Sequence, residues 1–316
     1  MNLLDYDRPA ILKEACDAFQ LNYEQATLIR SYSNLVYDCG DYILRLTHPQ
    51  ERQEDEVKAE VDWMQFLVTK KLPVARCKLS IHDRLTEQVS AGDEQLTAVC
   101  LDKIIGTKIS NEQWDNAHFH NLGFLVGKMH AASKQYPSAR LHKHWNETPK
   151  SYVIPLLPAD DRKLPELFQT LSETIQDFPA SGINYGVVHY DLHHGNYLMS
   201  EDDGDPYFFD FEMACQNWYM NDVATVLYYA LMHAHTRDEV DFEERFMLHF
   251  CKGYQSHNWL DSSELNWVPT FLLYRDLLVF GYLHRIWDVS KIDGLDKDFF
   301  DRISSSIDKR RAALGL

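Results

Sequence analysis

The chain has 316 residues, 45% hydrophobic, 13% aromatic and 25% charged, which describes a folded protein with a sizeable core and excludes a disordered or collagen-like one. Its formal charge is −17, unevenly placed: residues 1–150 carry 18 basic and 21 acidic side chains, residues 151–316 carry 13 and 27. So acidic a second half repels a phosphate backbone, excluding general nucleic-acid binding, and suits either a plain solvated surface or a cationic ligand. No run of about 18 apolar residues is present, so no membrane association is expected, and residues 1–8 lack the pattern of a secretory signal. Six cysteines without a CxxC pair argue against a disulfide framework or structural zinc and for a reducing, cytoplasmic setting.

In chain order, Asp7-Arg8-Pro9 reads as a cap and early proline opening a helix to about residue 20. Residues 34–39 and 42–46 read as a hairpin turning at Gly40. Val57, Val61, Met64 and Val68 then form the buried stripe of a helix over about 50–71, closed by Leu72-Pro73. Extended runs are expected at 78–82 and 96–101, separated by a polar tract over 89–95. A helix follows through Trp114, Leu122, Leu125 and Met129 to about Ser133, then a proline-rich connector at 154–158 and a helix over 164–177. Two short strands, 186–189 and 207–209, bracket a polar loop, and helices over 223–233, 242–255, 268–287 and 298–314 complete the chain. The expected class is α+β: a small sheet-rich lobe over residues 1–103 and a larger helical lobe over 104–316, with a ligand cleft between them.

One stretch carries chemistry. His189-Tyr190-Asp191-Leu192-His193-His194-Gly195-Asn196 satisfies H-x-D-L-x-x-x-N, and fourteen residues after the asparagine comes Asp210-Phe211-Glu212 behind a short apolar strand. Phosphoryl transfer needs an aligned nucleophile and metal ions that neutralise phosphate oxygens, and little covalent work. Asp191 can accept a hydrogen bond from an attacking hydroxyl and receive its proton. Asn196 and Asp210 offer hard oxygens to Mg2+. A plain turn explains asparagine and aspartate singly but not this spacing. A metallohydrolase cluster of His189, Asp191, His193 and Asp210 is the other chemistry these residues allow.

On these motifs the chain resembles the aminoglycoside phosphotransferase and choline kinase-like family, whose fold is the two-lobed protein-kinase-like one. The resemblance spans about residues 31–287 and is most specific over 189–222. It implies Asp191 as catalytic base, Asn196 and Asp210 as metal ligands, His189 as support for the loop and Asp222 of Asn221-Asp222-Val223-Ala224 as a helix cap bracing it. Tyr190 departs from the glycine many members carry there; Glu212 replaces the glycine of D-F-G, a substitution common in the family, and is expected to add a carboxylate near the metals. The resemblance also implies Arg45 as the phosphate-positioning cation, Ser33 with nearby backbone amides over the phosphates, and the backbone of Asp102-Lys103-Ile104 reading the base of ATP, with GTP as the other donor. Glu60, on the inward stripe of its helix, is the expected partner of Arg45, with Glu56 as the fallback. Gly123 and Gly127-Lys128 imitate a P-loop, but the segment is one residue short and lies in an amphipathic helix.

The expected reaction is ATP-dependent phosphorylation of a small hydroxylated acceptor, an amino alcohol or aminoglycoside-like molecule. Glu212, Trp218, Tyr219, Tyr274, Asp276, Tyr282 and Trp287 are candidates for holding it, since aromatics and carboxylates suit an amine, although aromatics at helical spacing also suit a core. A catalytically silent nucleotide-binding regulator and a protein Ser/Thr kinase of the same fold are the alternatives. Oligomeric state leaves no signature in the sequence.

Overall fold

The computed structural model describes residues 8–31, 33–147, 153–158, 162–233 and 241–316; the expected cap Asp7 and Tyr32 of the expected phosphate loop lie outside them. The chain divides into two compact units. The first comprises residues 1–109, 136–142 and 195–212, the second residues 110–135, 143–194 and 213–316.

The first unit begins with helix α1 (Arg8–Phe19), whose Ile11, Leu12, Ala15, Cys16 and Phe19 recur at helical spacing and are buried. A five-stranded antiparallel sheet follows, in the order β1 (Thr27–Ser31), β2 (Asn34–Asp38), β3 (Tyr42–Thr47), β5 (Glu94–Asp102), β4 (Thr86–Ala91). Gly40 turns the β2–β3 hairpin at φ +83°, a conformation that costs glycine nothing. Helix α2 (Glu54–Thr69) lies between β3 and β4 in sequence, its first turn fixed by Gln53 N–H donating to Glu56 Oε2 at 2.8 Å. Strand alternation sorts the layers. Leu44 and Leu46 join the α1 side of the core, while Val99, paired in register with Arg45, packs with Val57 and Val61 of α2.

Two expectations are corrected here. The run 78–82 is not a strand: Ser80 Oγ accepts from His82 N–H (3.1 Å) and Arg84 N–H (3.2 Å), and Asp83 takes φ +57°, so the segment folds into a turn. The strand lies instead within and before the polar tract, at β4, with Gly92 at its turn; Val89 and Ala91 face the core and Ser90 faces out.

The remaining part of the first unit is the small sheet β6 (Gly106–Thr107), β8 (Tyr197–Ser200) and β9 (Pro206–Phe208), in which β8 lies between the other two. Phe208 N–H donates to Pro73 O at 2.8 Å, and Phe211 meets the Trp63 ring of α2 edge-on at 5.4 Å. These contacts fix the residues flanking Asp210.

The second unit is helical: α3 (Asn116–Ser133), α4 (Leu164–Gln176), α5 (Tyr219–Met232), α6 (Phe242–Tyr254), the short α7 (Ser262–Leu265), α8 (Val268–Ile286) and α9 (Gly294–Leu314). A two-stranded antiparallel pair, β7 (Tyr185–Val188) with β10 (Cys215–Trp218), leads into the loop at 189–194; β10 is a strand the sequence reading did not expect. Asp115 starts α3 by accepting His118 N–H at 2.8 Å. The glycines that imitate a P-loop have a packing role. A Cβ on Gly127 would lie 2.4 Å from Tyr254 O, and one on Gly253 would lie 1.9 Å from His120 O, so α3 and α6 cross backbone to backbone. No helix among the described residues is long and apolar enough to cross a membrane.

Candidate functional site

In the first unit the chemistry begins at β3. Arg45 is buried and forms two parallel bonds to Glu60 of α2, Nη1–Oε1 and Nη2–Oε2, each 2.8 Å. Burial alone would push the Glu60 carboxyl up. Arg45 and Arg52 overcome this and hold it down at about 2. Burial likewise disfavours charge on Arg45, but Glu60, Glu212 and Asp210 outweigh it and raise its pKa. With Nη1 and Nη2 both bonded to Glu60, Arg45 keeps its Nε–H and one hydrogen on each terminal nitrogen outside that pair. Arg52, which the sequence reading missed, joins the same carboxylate through Nη1 and bonds Glu56 O through Nη2 at 3.0 Å. Glu56 itself is committed to the start of α2.

Glu212 lies in the same unit. Its Oε2 accepts from Asn34 Nδ2 at 2.7 Å, and Asn34 Oδ1 accepts from Thr47 Oγ at 2.7 Å, so a chain of bonds ties it to β2 and β3. Burial raises the Glu212 pKa, and the nearby Asp210 raises it further. Asp210 takes φ +63° and meets Arg30 Nη1 at 3.5 Å. The β8–β9 register pairs Tyr197 with Phe208, and Phe209 N–H donates to Asn196 O at 3.0 Å, which sets the backbone of Asn196 beside the residue preceding Asp210. Asp210 and Glu212 repel one another, and Asn196 is buried; among the described residues no group of three or more His, Cys, Asp or Glu side chains is gathered to hold a metal ion.

Ser33 stands in the tight turn between β1 and β2, where Ser31 pairs with Leu35. Asp102 ends β5, its N–H bonded to Arg76 O at 2.8 Å, and Lys103 N–H bonds Asp41 O at 2.9 Å; Ile104 follows outside any regular element. Lys103 Nζ also reaches Asp38 at 2.6 Å, pinning the β5 exit to the β2–β3 turn.

In the second unit the loop after β7 carries Asp191, whose side chain is 31% exposed. His193 Nε2 faces its Oδ2 at 3.4 Å and Arg275 Nη1 its Oδ1 at 3.3 Å. Burial favours the neutral acid, but His193, Arg275 and His189 prevail and keep the Asp191 carboxyl well below the usual range, so it is ionised at neutral pH. His193 packs on Tyr229, rings 4.4 Å apart, and His194 meets Trp114 and His233 edge-on.

Asp222, in the first turn of α5, shapes this loop. It lies four residues beyond the N-cap Trp218 and does not cap the helix; its oxygens accept from His189 N–H and Tyr190 N–H, each at 2.8 Å. His130 of α3 backs it. Burial lowers the His130 pKa, so the ring is neutral; an ionised Asp222 can only accept, so Nε2–H donates to it (3.2 Å) and Nδ1 accepts from Tyr254 O–H (2.8 Å). The glycine-mediated crossing of α3 and α6 thus sets the distance of the brace. Neither His130 nor Arg275 entered the sequence reading. Arg275, inside the apolar run of α8, had a visible signal: a buried guanidinium needs acceptors.

Of the acceptor candidates, Trp218, Tyr219, Tyr274 and Asp276 are buried within the second unit's own core. Trp218 packs on Trp145, Phe178 and Tyr185, Tyr219 stacks on His130, and Tyr274 packs on Phe168. Asp276 is bonded to Arg310 Nη1 (2.6 Å) and Ser306 Oγ (2.9 Å) of α9. Tyr282 is exposed, and Trp287 is half-buried against Phe299.

Comparison with known proteins shows the family and the fold. The profile of the phosphotransferase enzyme family, APH, matches residues 25–260. Amicoumacin kinase of Bacillus subtilis (strain 168) is 31% identical over 298 residues, 91% of this chain and 88% of its own length. The solved structure of amicoumacin kinase hAmiN in complex with AMP-PNP, Ca2+ and Ami aligns with a TM-score of 0.89 at 29% identity, covering 96% of this chain and 94% of that one. A microcompartment-associated aminopropanol kinase shares the fold, with a TM-score of 0.76 at 19% identity over 96% and 97% of the two chains. The small antiparallel sheet followed by a helical C-terminal part is therefore the expected α+β, protein-kinase-like fold.

Proposed function

Because this chain belongs to the phosphotransferase enzyme family, we propose that it moves the γ-phosphoryl group of ATP to a hydroxyl of a small amine-bearing molecule. The observation that carries this reading is Asp191, an ionised, partly exposed carboxylate held on both oxygens. Asp191 accepts the hydrogen bond of the acceptor hydroxyl and orients its oxygen toward phosphorus. As the new O–P bond forms and the bond from phosphorus to the bridging oxygen breaks, the hydroxyl proton passes to Asp191 and ADP departs with the bond's electron pair. A carboxylate of such low basicity fits late proton transfer in a loose transition state.

Asn196 and Asp210, with Glu212 beside them, would hold Mg2+, which neutralises charge on the phosphate oxygens when bound. Arg45, kept in place by Glu60, is the cation for the phosphates; Ser33 and the amides of its turn lie over them, and the backbone at Asp102 and Ile104 reads adenine. His189 and Asp222 support the loop. In this reading residues 1–103 bind the nucleotide, and residues 104–316 carry the catalytic loop with its metal ligands and the acceptor site. Amicoumacin, named for a relative 31% identical, supports a small-molecule acceptor, and the −14 charge of residues 151–316 favours an amine. Tyr282 and Trp287 are the aromatic candidates with exposed surface. Six free cysteines, five of them buried, suit a reducing cytoplasm.

The test is ADP production from Mg-ATP over a panel of amicoumacin, aminopropanol, aminoglycosides and a generic protein substrate, with the parent and Asp191→Asn. Turnover with a small amine-bearing alcohol, lost by at least about a hundredfold in the variant while ATP still binds, is the expected result. Turnover on the protein substrate alone, none on any substrate, or an equally active variant overturns it.

A further inference from the structure

We propose that Arg275 of α8 is a positioning residue for the transfer step, locking the Asp191 carboxylate and the left-handed turn at Tyr190 into one arrangement. The inference rests on the role of Asp191 given above. Arg275 is 5% exposed, in the middle of a helix whose neighbouring residues are core. A buried guanidinium is costly unless its hydrogens are taken. Its acidic neighbour Asp276 is engaged by Arg310 of α9, and Arg275 is committed to the catalytic loop. Nη1 faces Asp191 Oδ1 at 3.3 Å; Nη2 donates to Tyr190 O and to Thr225 Oγ1, the latter at 2.8 Å. The guanidinium also lies 5.1 Å from the centre of the Tyr190 ring.

Tyr190 explains why a clamp is needed. It takes φ +72°, a region disfavoured for any residue with a side chain. The adjacent Asp191 inherits its direction from that turn. Asp222 holds the Tyr190 amide and Arg275 holds the carbonyl and the ring, so the two peptide planes that flank Tyr190 are each held.

The charge of Arg275 works against proton acceptance, which separates positioning from basicity. The groups facing Asp191 are His189 and His193 from its own loop, Tyr229 from α5 and Arg275 from α8. Removing the cation makes Asp191 a stronger base but leaves its direction loose. A loss of rate together with an upward move of the acid limb is the signature of positioning, since a merely structural residue would change melting temperature alone.

The experiment compares Arg275→Met and Arg275→Lys with the parent and Asp191→Asn, following ADP release from Mg-ATP with amicoumacin, or with aminopropanol where that is the faster acceptor. Arg275→Met should lower kcat about 10- to 100-fold, leave KM for ATP within about twofold, and move the acid limb of the rate profile to higher pH. Arg275→Lys, which keeps the charge without the fork, should lower kcat less and leave the limb near the parent's. If Asp191→Asn retains parental turnover, the role of Asp191 fails and this inference with it. If Asp191→Asn is inactive while both Arg275 variants keep the parental kcat and acid limb, this inference alone is overturned. Should Arg275→Met not fold, Arg275→Lys decides: a reduced kcat in a variant with the parental melting temperature supports the clamp, and a parental kcat refutes it.

Discussion

Replacing Glu60 by glutamine tests the buried pair on which the nucleotide reading depends. The carboxylate titrates at about 2 instead of 4.5, so its ionised form is stabilised by about 3 kcal/mol in the folded chain, from about 1.4 kcal/mol per pKa unit. The folded value is depressed, so this stability is fully present above pH 4.5 and is lost as pH falls toward 2. Glutamine also removes the one carboxylate bonded to both Arg45 and Arg52, and breaking a buried pair at one partner costs about 3–5 kcal/mol. Urea denaturation of Glu60→Gln should therefore show a deficit of that size at pH 7. At pH 3 only about 1 kcal/mol of the linkage contribution remains, so the gap between variant and parent should narrow by about 2 kcal/mol. KM for ATP should rise as Arg45 loses its anchor. A deficit below about 1 kcal/mol at pH 7, or a gap that does not change with pH, would refute the reasoning.

Two further outcomes follow from the helical unit. Burial raises Asp276 to about 6, against Arg310, Ser306 and Tyr228, which favour its ionised form. The folded value is the raised one, so its contribution is complete below about pH 4 and lost as pH rises through 6. From pH 7 to pH 5 the parent should gain about 1 kcal/mol at this site and Asp276→Asn should not; parallel denaturation midpoints for the two proteins would contradict this. Gly127→Ala pushes a methyl group to 2.4 Å from Tyr254 O and should cost about 1–3 kcal/mol in a thermal melt, with kcat falling as His130 shifts from Asp222; a parental melting temperature would show that the crossing is looser than described.

What the sequence discloses is set by how local each cause is. The Arg45–Glu60 contact was readable because strand alternation and a helical stripe both point inward from short segments, and a buried carboxylate must find a cation. The 189–196 motif was visible because its residues are contiguous. The partners of Arg275 and His130 were not, since they lie 85 and 92 residues away along the chain. Strand β4 hid among polar residues because a strand with one solvated face needs only alternate apolar positions, and Ser80 turned the more apolar run 78–82 into a bend. The aromatic acceptor candidates misled because stacking surfaces and core fillers share one composition; only burial separates Trp218 and Tyr274 from Tyr282.

The left-handed Tyr190 has a consequence for the order in which the molecule is built. No local preference favours that turn, and the groups that enforce it arrive from α5 and α8, 32 and 85 residues downstream. Contacts of such long sequence separation form only after loop closure has been achieved, so in refolding from denaturant the helical signal should return first. Enzymatic competence would then lag behind it, appearing when residues 268–286 dock.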